Sequence, residues 1–483
     1  MDRLVWSRSS VPVAMTELEF DLMGAGYAAG YQRALSTFLE QPVRVLVTRH
    51  LGHLYSAITA GTQDPPGTLL ETSMASWSEF VMPRLAVHFE IFRQLAGERA
   101  GPALTEAREL FAECVALHHG LLLPARQAIL ELLDLLCPRD HHAGQGHYDL
   151  TLLAAITPLG TPTLCAAEKL VDDDLPEVLG DNELIGLSED GATDGDGYGL
   201  AQPGWLDDGS YPRRMRTFLL RFGVTRSSLK SSGAAAAERQ EQAWTYLTQI
   251  PPKRLNRELA TKLATARVGA ALAEVHGPIM HVRYVHELRR LVCAHEERLR
   301  GDGQLREPGE IFHLRLPEID RKKIKPRVLE ARRDAYVRSL HRPPPRPSRW
   351  TRTLGTQLAP RVVTRLGTLG AAAGRRLDTR TWQGVGAASG CGAGPLKFIK
   401  FNSDLDKLEP GDIALVPDAG PAWGWLAVAG VPIIIEHGAL LGHAPALARE
   451  CGVACVVGGT GLKKLVTEGV HVKMSGDTGE VSW

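Results

Sequence analysis

The chain has 483 residues, room for two or three domains and a sizeable core, and its 44% hydrophobic content is that of a globular protein. Basic and acidic residues balance at 55 each, which removes any global electrostatic reason to expect nucleic acid or an anionic membrane as partner. Seven scattered cysteines, an odd number, read as reduced thiols. With no leader-like apolar segment at the N-terminus and no apolar run of roughly eighteen residues, the expectation is a cytoplasmic protein.

From Met1 to about Gln145 the pattern is helical. Apolar residues recur at three- and four-residue spacing in Ala34 to Ala60, Met74 to Ala96 and Pro102 to Leu136. Each apolar face must be buried against another, so a helical array with an internal groove is predicted. His141, His142 and His147, with Cys137 nearby, lie among loop formers without metal-ligand spacing and read as a solvated loop. The adjacent His118 and His119 point in different directions on a helix, which fits packing or surface roles better than joint metal binding. No metal site is expected.

Between about 171 and 210 the chain turns acidic and glycine-rich. The Asp194-Gly195-Asp196-Gly197 stretch lacks the ligand order and closing glutamate of a calcium loop, leaving an acidic insertion. Helical periodicity returns from Arg213 to Phe222 and from Ala235 to about Arg300. A short extended segment follows at Ile311 to Leu314, then a helix from Pro326 to Leu340. Residues 341–383 are rich in proline and arginine and read as a linker, helical around Pro360 to Leu369. No aromatic platform accompanies its arginines, so nucleic acid is not expected there.

The last hundred residues predict a compact α/β unit. Its β-type segments are Phe398 to Ile399, Asp412 to Val416, Val431 to Ile435, Ala454 to Val457 and His471 to Met474. Helix-like stretches lie near Pro421 to Ala429 and His443 to Cys451, and Gly476 to Gly479 reads as a hairpin turn. His443 follows a turn containing Gly438 and Gly442 and opens the second helix. There the unpaired backbone N–H groups and the positive end of the helix dipole favour a phosphoryl group, and imidazole is a competent nucleophile near neutral pH.

These landmarks, in their order, carry a family resemblance. GVGAASG (384–390), GDIALVPDAGPAW (411–423), the histidine loop with Ala448-Arg449-Glu450, the strand VACVVG and the closing EGVHVKMSGDTGEV resemble the phosphohistidine swivelling domain of the phosphoenolpyruvate-utilising enzymes. GEIFHLRLPEI (309–319) and the helix with Ala331-Arg332-Arg333 and Tyr336 are similar to the helical region that precedes this domain in the rifampicin phosphotransferase-like branch. The resemblance implies a multidomain α plus α/β protein. A mostly helical, acceptor-binding domain over 1–340 is followed by the linker 341–383 and a swivelling β/β/α phosphohistidine domain over 384–483.

By the same resemblance, His443 accepts a phosphoryl group originating from ATP and hands it to a small-molecule acceptor, with Gly438, Gly442, Ala444 and Arg449 supporting the phosphate loop. The sequence departs from the family pattern at several points. Gly442 stands where a hydroxyl residue is usual, with Ala439, Pro445 and Ala454 also altered. Val224 and Thr225 replace a histidine-arginine pair after Gly223, and around Ala273 to Gly277 an arginine and a lysine give way to small or neutral residues; Arg226, Lys230 and Arg283 are candidate acceptor-side substitutes. No phosphate loop or ATP-grasp-like segment precedes the helical region. ATP and Mg2+ are therefore expected on a separate ATP-grasp-type partner, with no cofactor bound by this chain, which makes it a phosphotransferase component. The alternative is a non-catalytic binding or scaffold protein that retains the fold.

Overall fold

The computed structural model describes residues 7–8, 14–40, 42–50, 53–60, 77–136, 150–172, 200–201, 210–249, 253–321, 325–340 and 374–483. The expected histidine loop at 137–147, most of the acidic insertion and nearly all of the linker, with the Pro360 to Leu369 stretch, lie outside these residues. The chain divides into two compact units. One comprises Met1–Leu123, Gly197–Gly204 and Arg283–Thr364; the other comprises Pro124–Asp196, Trp205–Val282 and Arg365–Trp483.

The first unit is mainly helical, with Ala25–Phe38, Met82–Leu95, the first part of Ala100–Leu136, Tyr284–Gly301 and Pro326–Leu340 as its long helices. Its core is aromatic at the centre. Tyr284 is fully buried among Phe89, Phe92 and Phe111, and its hydroxyl lies 3.0 Å from Nδ1 of His88. His119 is buried against Tyr27 and Tyr31, a packing role.

Two expectations fail in this unit. The helix read through Ala34 to Ala60 stops at Phe38. The chain then forms β2 (Val43–His50) and β3 (His53–Ala60), an antiparallel hairpin joined by β1 (Ser7–Arg8) in the order β1-β3-β2. Val43, Val45 and Val47 are β-branched and alternate with other residues, so the period is two rather than 3.6. The segment at Ile311 to Leu314 is not extended but belongs to a 3-10 turn, Glu310–His313. Gly309 enters that turn with a left-handed φ of 87°, and Ile311 and Phe312 are buried.

The second unit is built on a nine-stranded sheet. Its strands are β4 (Arg375–Arg376), β5 (Thr381–Gln383), β6 (Val385–Ala388), β7 (Cys391–Phe398), β8 (Ile413–Asp418), β9 (Ile433–His437), β10 (Cys455–Val457), β11 (His471–Ser475) and β12 (Glu480–Ser482), in the order β4-β5-β12-β11-β7-β8-β9-β10-β6. The pairs β7–β8, β8–β9 and β9–β10 are parallel, and the remaining pairs are antiparallel. Parallel strands covered on both faces require continuous apolar runs. Ile413 to Val416, Ile433 to Ile435 and Cys455 to Val457 meet that requirement, each residue being buried. The Gly476 to Gly479 turn joins β11 to β12 as expected.

The helices of this unit share a core with the sheet's own helices. Leu153, Leu164, Met215, Phe218 and Leu229 belong to one buried cluster with Trp423, Trp425, Leu426 and Leu447. The helices Leu150–Ala155, Pro162–Leu170, Ser210–Arg221 and Arg226–Gln249 are thereby fixed to the sheet by apolar burial.

Candidate functional site

His443 is positioned by a tight passage from strand to helix. β9 ends at His437, a turn follows, and the helix His443–Cys451 begins with Gly442 as its N-cap. The glycines are needed because Ala419, just after β8, lies against the turn. A Cβ on Gly438 would come within 2.8 Å of the Ala419 Cβ, and one on Gly442 within 2.6 Å of the same atom. At the other end Gly452, at φ 70°, closes the helix in the left-handed conformation.

The first turn offers fewer amides than the sequence suggests. Gly442 donates its N–H to the Ala439 carbonyl at 3.0 Å, and Ala444 donates to the Ala419 carbonyl at 3.3 Å. Pro445 has no N–H. The His443 amide is thus the one first-turn donor without a hydrogen bond among the described residues. Ala444 supports the loop by tying it to Ala419 rather than by presenting its amide outward.

The imidazole has a partner that inspection of the sequence missed. Nδ1 of His443 lies 2.9 Å from Oε2 of Glu274, on the helix Lys253–Gly277, and the two side chains are 21% and 10% exposed. Nε2 makes no hydrogen bond to the described residues. Burial disfavours the imidazolium, but the Glu274 carboxylate outweighs it through charge and hydrogen bond. The cation Arg126 opposes Glu274, and the net effect raises the His443 pKa above its ordinary value. The His276 ring is 6.0 Å from that of His443, and its own Nδ1 is 2.8 Å from the Leu272 carbonyl. The stretch 273–277 therefore contributes a carboxylate and a second histidine beside its small residues. The available signal was a lone acid in ARVGAALAEVHG, a run otherwise poor in carboxylates.

Arg449 works inward. Its Nε donates to Thr157 Oγ1 at 3.1 Å, and one Nη donates to the carbonyls of Ala387 at 2.9 Å and Leu440 at 2.8 Å. It holds the loop preceding His443 to β6 and to the helical part. Next to it Glu450, 1% exposed, accepts from the Gly160 amide at 2.6 Å, the Thr161 amide at 3.3 Å and the Thr161 hydroxyl at 2.6 Å. Burial pushes its pKa up to about 7 despite these donors.

Of the three acceptor-side cations expected from sequence, Arg226 and Lys230 share the unit of His443, and neither hydrogen-bonds it. Arg226 pairs with Asp172 at 3.1 Å. Lys230 is exposed on the same helix, which meets the His443–Cys451 helix at its C-terminal end through Ser232 and Arg239. Arg283 belongs to the first unit, with its guanidinium 5.0 Å from the centre of the Phe89 ring. Among the described residues no group of three or more His, Cys, Asp or Glu side chains is disposed to hold a metal ion, and no helix is long and apolar enough to cross a membrane.

Residues 408–479, which include His443, match the family model described as PEP-utilising enzyme, mobile domain. The chain is 24% identical over 470 residues to chondramide synthase cmdD of Chondromyces crocatus, an alignment covering 84% of this chain and 12% of that protein. It is 27% identical over 199 residues to the rifampicin phosphotransferase of Streptomyces sviceus, covering 40% of this chain and 21% of the relative. To the phosphoenolpyruvate synthase of Pyrococcus furiosus it is 35% identical over 103 residues, covering 20% and 12%. The chain thus spans about a fifth or less of the length of each of these relatives.

Proposed function

We propose that this chain is a phosphotransferase component that carries a phosphoryl group on His443, receiving it from an ATP-binding partner and passing it to a small-molecule acceptor. One observation carries this reading. Within a segment matching the mobile domain of PEP-utilising enzymes, a histidine opens a helix with Nδ1 held by a carboxylate and Nε2 free of hydrogen bonds to the described residues.

In the first step the Nε2 lone pair attacks phosphorus. The N–P bond forms, the P–O bond to the donor's leaving group breaks, and the ring, still protonated on Nδ1, takes up the positive charge. In the second step an acceptor hydroxyl attacks phosphorus, the N–P bond breaks, and the electron pair returns to Nε2. The hydroxyl proton leaves to a base or to solvent. Because Nε2 attacks only when unprotonated, loading is favoured as pH rises through the raised His443 pKa.

A separate ATP-grasp-type protein would supply ATP and Mg2+, with no cofactor held by this chain. Such chemistry suits the cytoplasm. The domain carrying His443 would swing between donor and acceptor, and the contact with Glu274 represents its docked position. The alternative, a non-catalytic scaffold, is favoured by one feature: the apolar core that the helices share with the sheet resists such a swing.

The test is to incubate the chain with an ATP-grasp-type protein and Mg·ATP labelled in the β-phosphate. Acid-labile, base-stable label is expected on wild type and absent from His443→Ala. Absence of label from wild type as well as from His443→Ala would remove the phosphotransfer reading in favour of the scaffold.

A further inference from the structure

Gly442, the residue before His443, has no side chain to offer the imidazole, yet the ring is not left without a partner. We infer that Glu274 is the positioning residue of His443: it accepts a hydrogen bond from Nδ1–H, assigns phosphoryl transfer to Nε2, and keeps the ring protonated on Nδ1 as the phosphoryl group departs. This rests on the phosphotransfer reading above.

The geometry is specific. The 2.9 Å contact joins residues 169 positions apart, brought together by a helix and a strand-to-helix turn, and both side chains are largely buried. Turn and helix are each fixed independently. Arg449 pins the Leu440 carbonyl of the turn, while Lys262, three turns before Glu274 on its helix, donates to Glu131 at 2.7 Å. A carboxylate held against one imidazole nitrogen fixes the tautomer and leaves the other nitrogen as the reactive atom.

The bookkeeping follows from that tautomer. When Nε2 attacks phosphorus, the imidazolium formed keeps its Nδ1 proton, and Glu274 offsets the new charge without taking the proton. When the acceptor attacks, the N–P electron pair returns to Nε2 of a ring that is already protonated on Nδ1, so neutral imidazole leaves rather than an imidazolate anion. Neutral imidazole is much the better leaving group. The other charged or titratable groups acting on the site are Arg126 from the Ala100–Leu136 helix, His276 from the helix of Glu274, and Arg449 and Glu450, whose charges interact with that of Glu274.

The test uses the full chain labelled with 15N-histidine and needs no partner protein. In wild type the His443 ring is expected as the Nδ1–H tautomer when neutral, with its titration midpoint above that of an ordinary histidine. In Glu274→Gln, which keeps the side-chain shape and removes the charge, the midpoint is expected to fall below that of wild type. Glu274→Asp, which keeps the charge and withdraws the carboxylate, is expected to lie between the two. Equal midpoints and equal tautomer populations in all three proteins would overturn the inference. In a second arm, phosphoramidate serves as the phosphoryl donor and 31P resonances report the nitrogen modified. Wild type is expected to carry phosphate on Nε2 alone, and the variants on both nitrogens. The same Nε2 selectivity in all three proteins would count against Glu274. Failure of wild type to react, with the titration difference intact, would instead remove the phosphotransfer reading.

Discussion

Arg449 was readable as a neighbour of the histidine loop, but its direction was not. Sequence order places it two turns along the helix from His443 with no indication of which face it occupies, and the family resemblance suggests phosphate support. Three donations, to Thr157 Oγ1 and to the carbonyls of Ala387 and Leu440, make it a staple instead. Arg449→Met keeps much of the volume and strands these acceptors, which should cost about 2–4 kcal/mol. Arg449→Lys should recover only part of that, because an ammonium cannot reproduce the planar fork. Urea denaturation that keeps the m-value and lowers the midpoint in the order wild type, Lys, Met is the expected result. His443 itself was legible because strand, glycine turn and helix are local signals. Glu274 was not, because its partner lies 169 residues away and only the fold joins them.

Among the elements, the turn before His443 raises the question of why glycine rather than serine forms the N-cap of the helix. Serine is slightly better than glycine at an N-cap, by a few tenths of a kcal/mol. Against that, a Cβ at position 442 would lie 2.6 Å from the Ala419 Cβ and 3.1 Å from the Ala419 carbonyl oxygen. Overpacking of this kind costs about 1–3 kcal/mol, so the clash outweighs the cap. Gly442→Ser should therefore destabilise the protein, and adding Ala419→Gly should return at least about 1 kcal/mol of the loss, a coupling that a double-mutant cycle of melting curves would detect. Additive effects would assign the glycine to some other constraint. The same scale explains where the sequence misled. The apolar run after Phe38 was long enough to pass for helix, and only its period-two valines marked the hairpin of β2 and β3. The C-terminal strands were legible because parallel strands buried on both faces leave continuous apolar runs bounded by glycine turns.

For the molecule as a whole, the decisive fact is that the unit bearing His443 is held together by two kinds of contact with different pH dependence. The shared apolar core is indifferent to protonation. Glu450, buried against Gly160 and Thr161, is not. Its folded-state pKa, near 7, lies above the ordinary 4.5, so the native state favours the protonated form. That contribution is fully present below about pH 4.5 and is lost as pH rises through about 7, amounting to about 3 kcal/mol across the interval. The raised pKa of His443 acts in the same direction, so the wild-type profile alone does not separate the two groups. Glu450→Gln does: its amide oxygen can accept from the backbone amides and its NH2 can donate to the Thr161 hydroxyl, mimicking the neutral acid at every pH. The variant should match wild type near pH 5 and exceed it by about 2–3 kcal/mol at pH 8. Hydrogen exchange at the Gly160 and Thr161 amides should then accelerate with pH in wild type beyond the base-catalysed intrinsic rate, but not in the variant. If His443 must leave its docked position to be phosphorylated, the same substitution should slow loading most at pH 8, where it stabilises the docked form most. Identical loading by the two proteins at that pH would mean that Glu450 stabilises the fold without governing release of His443.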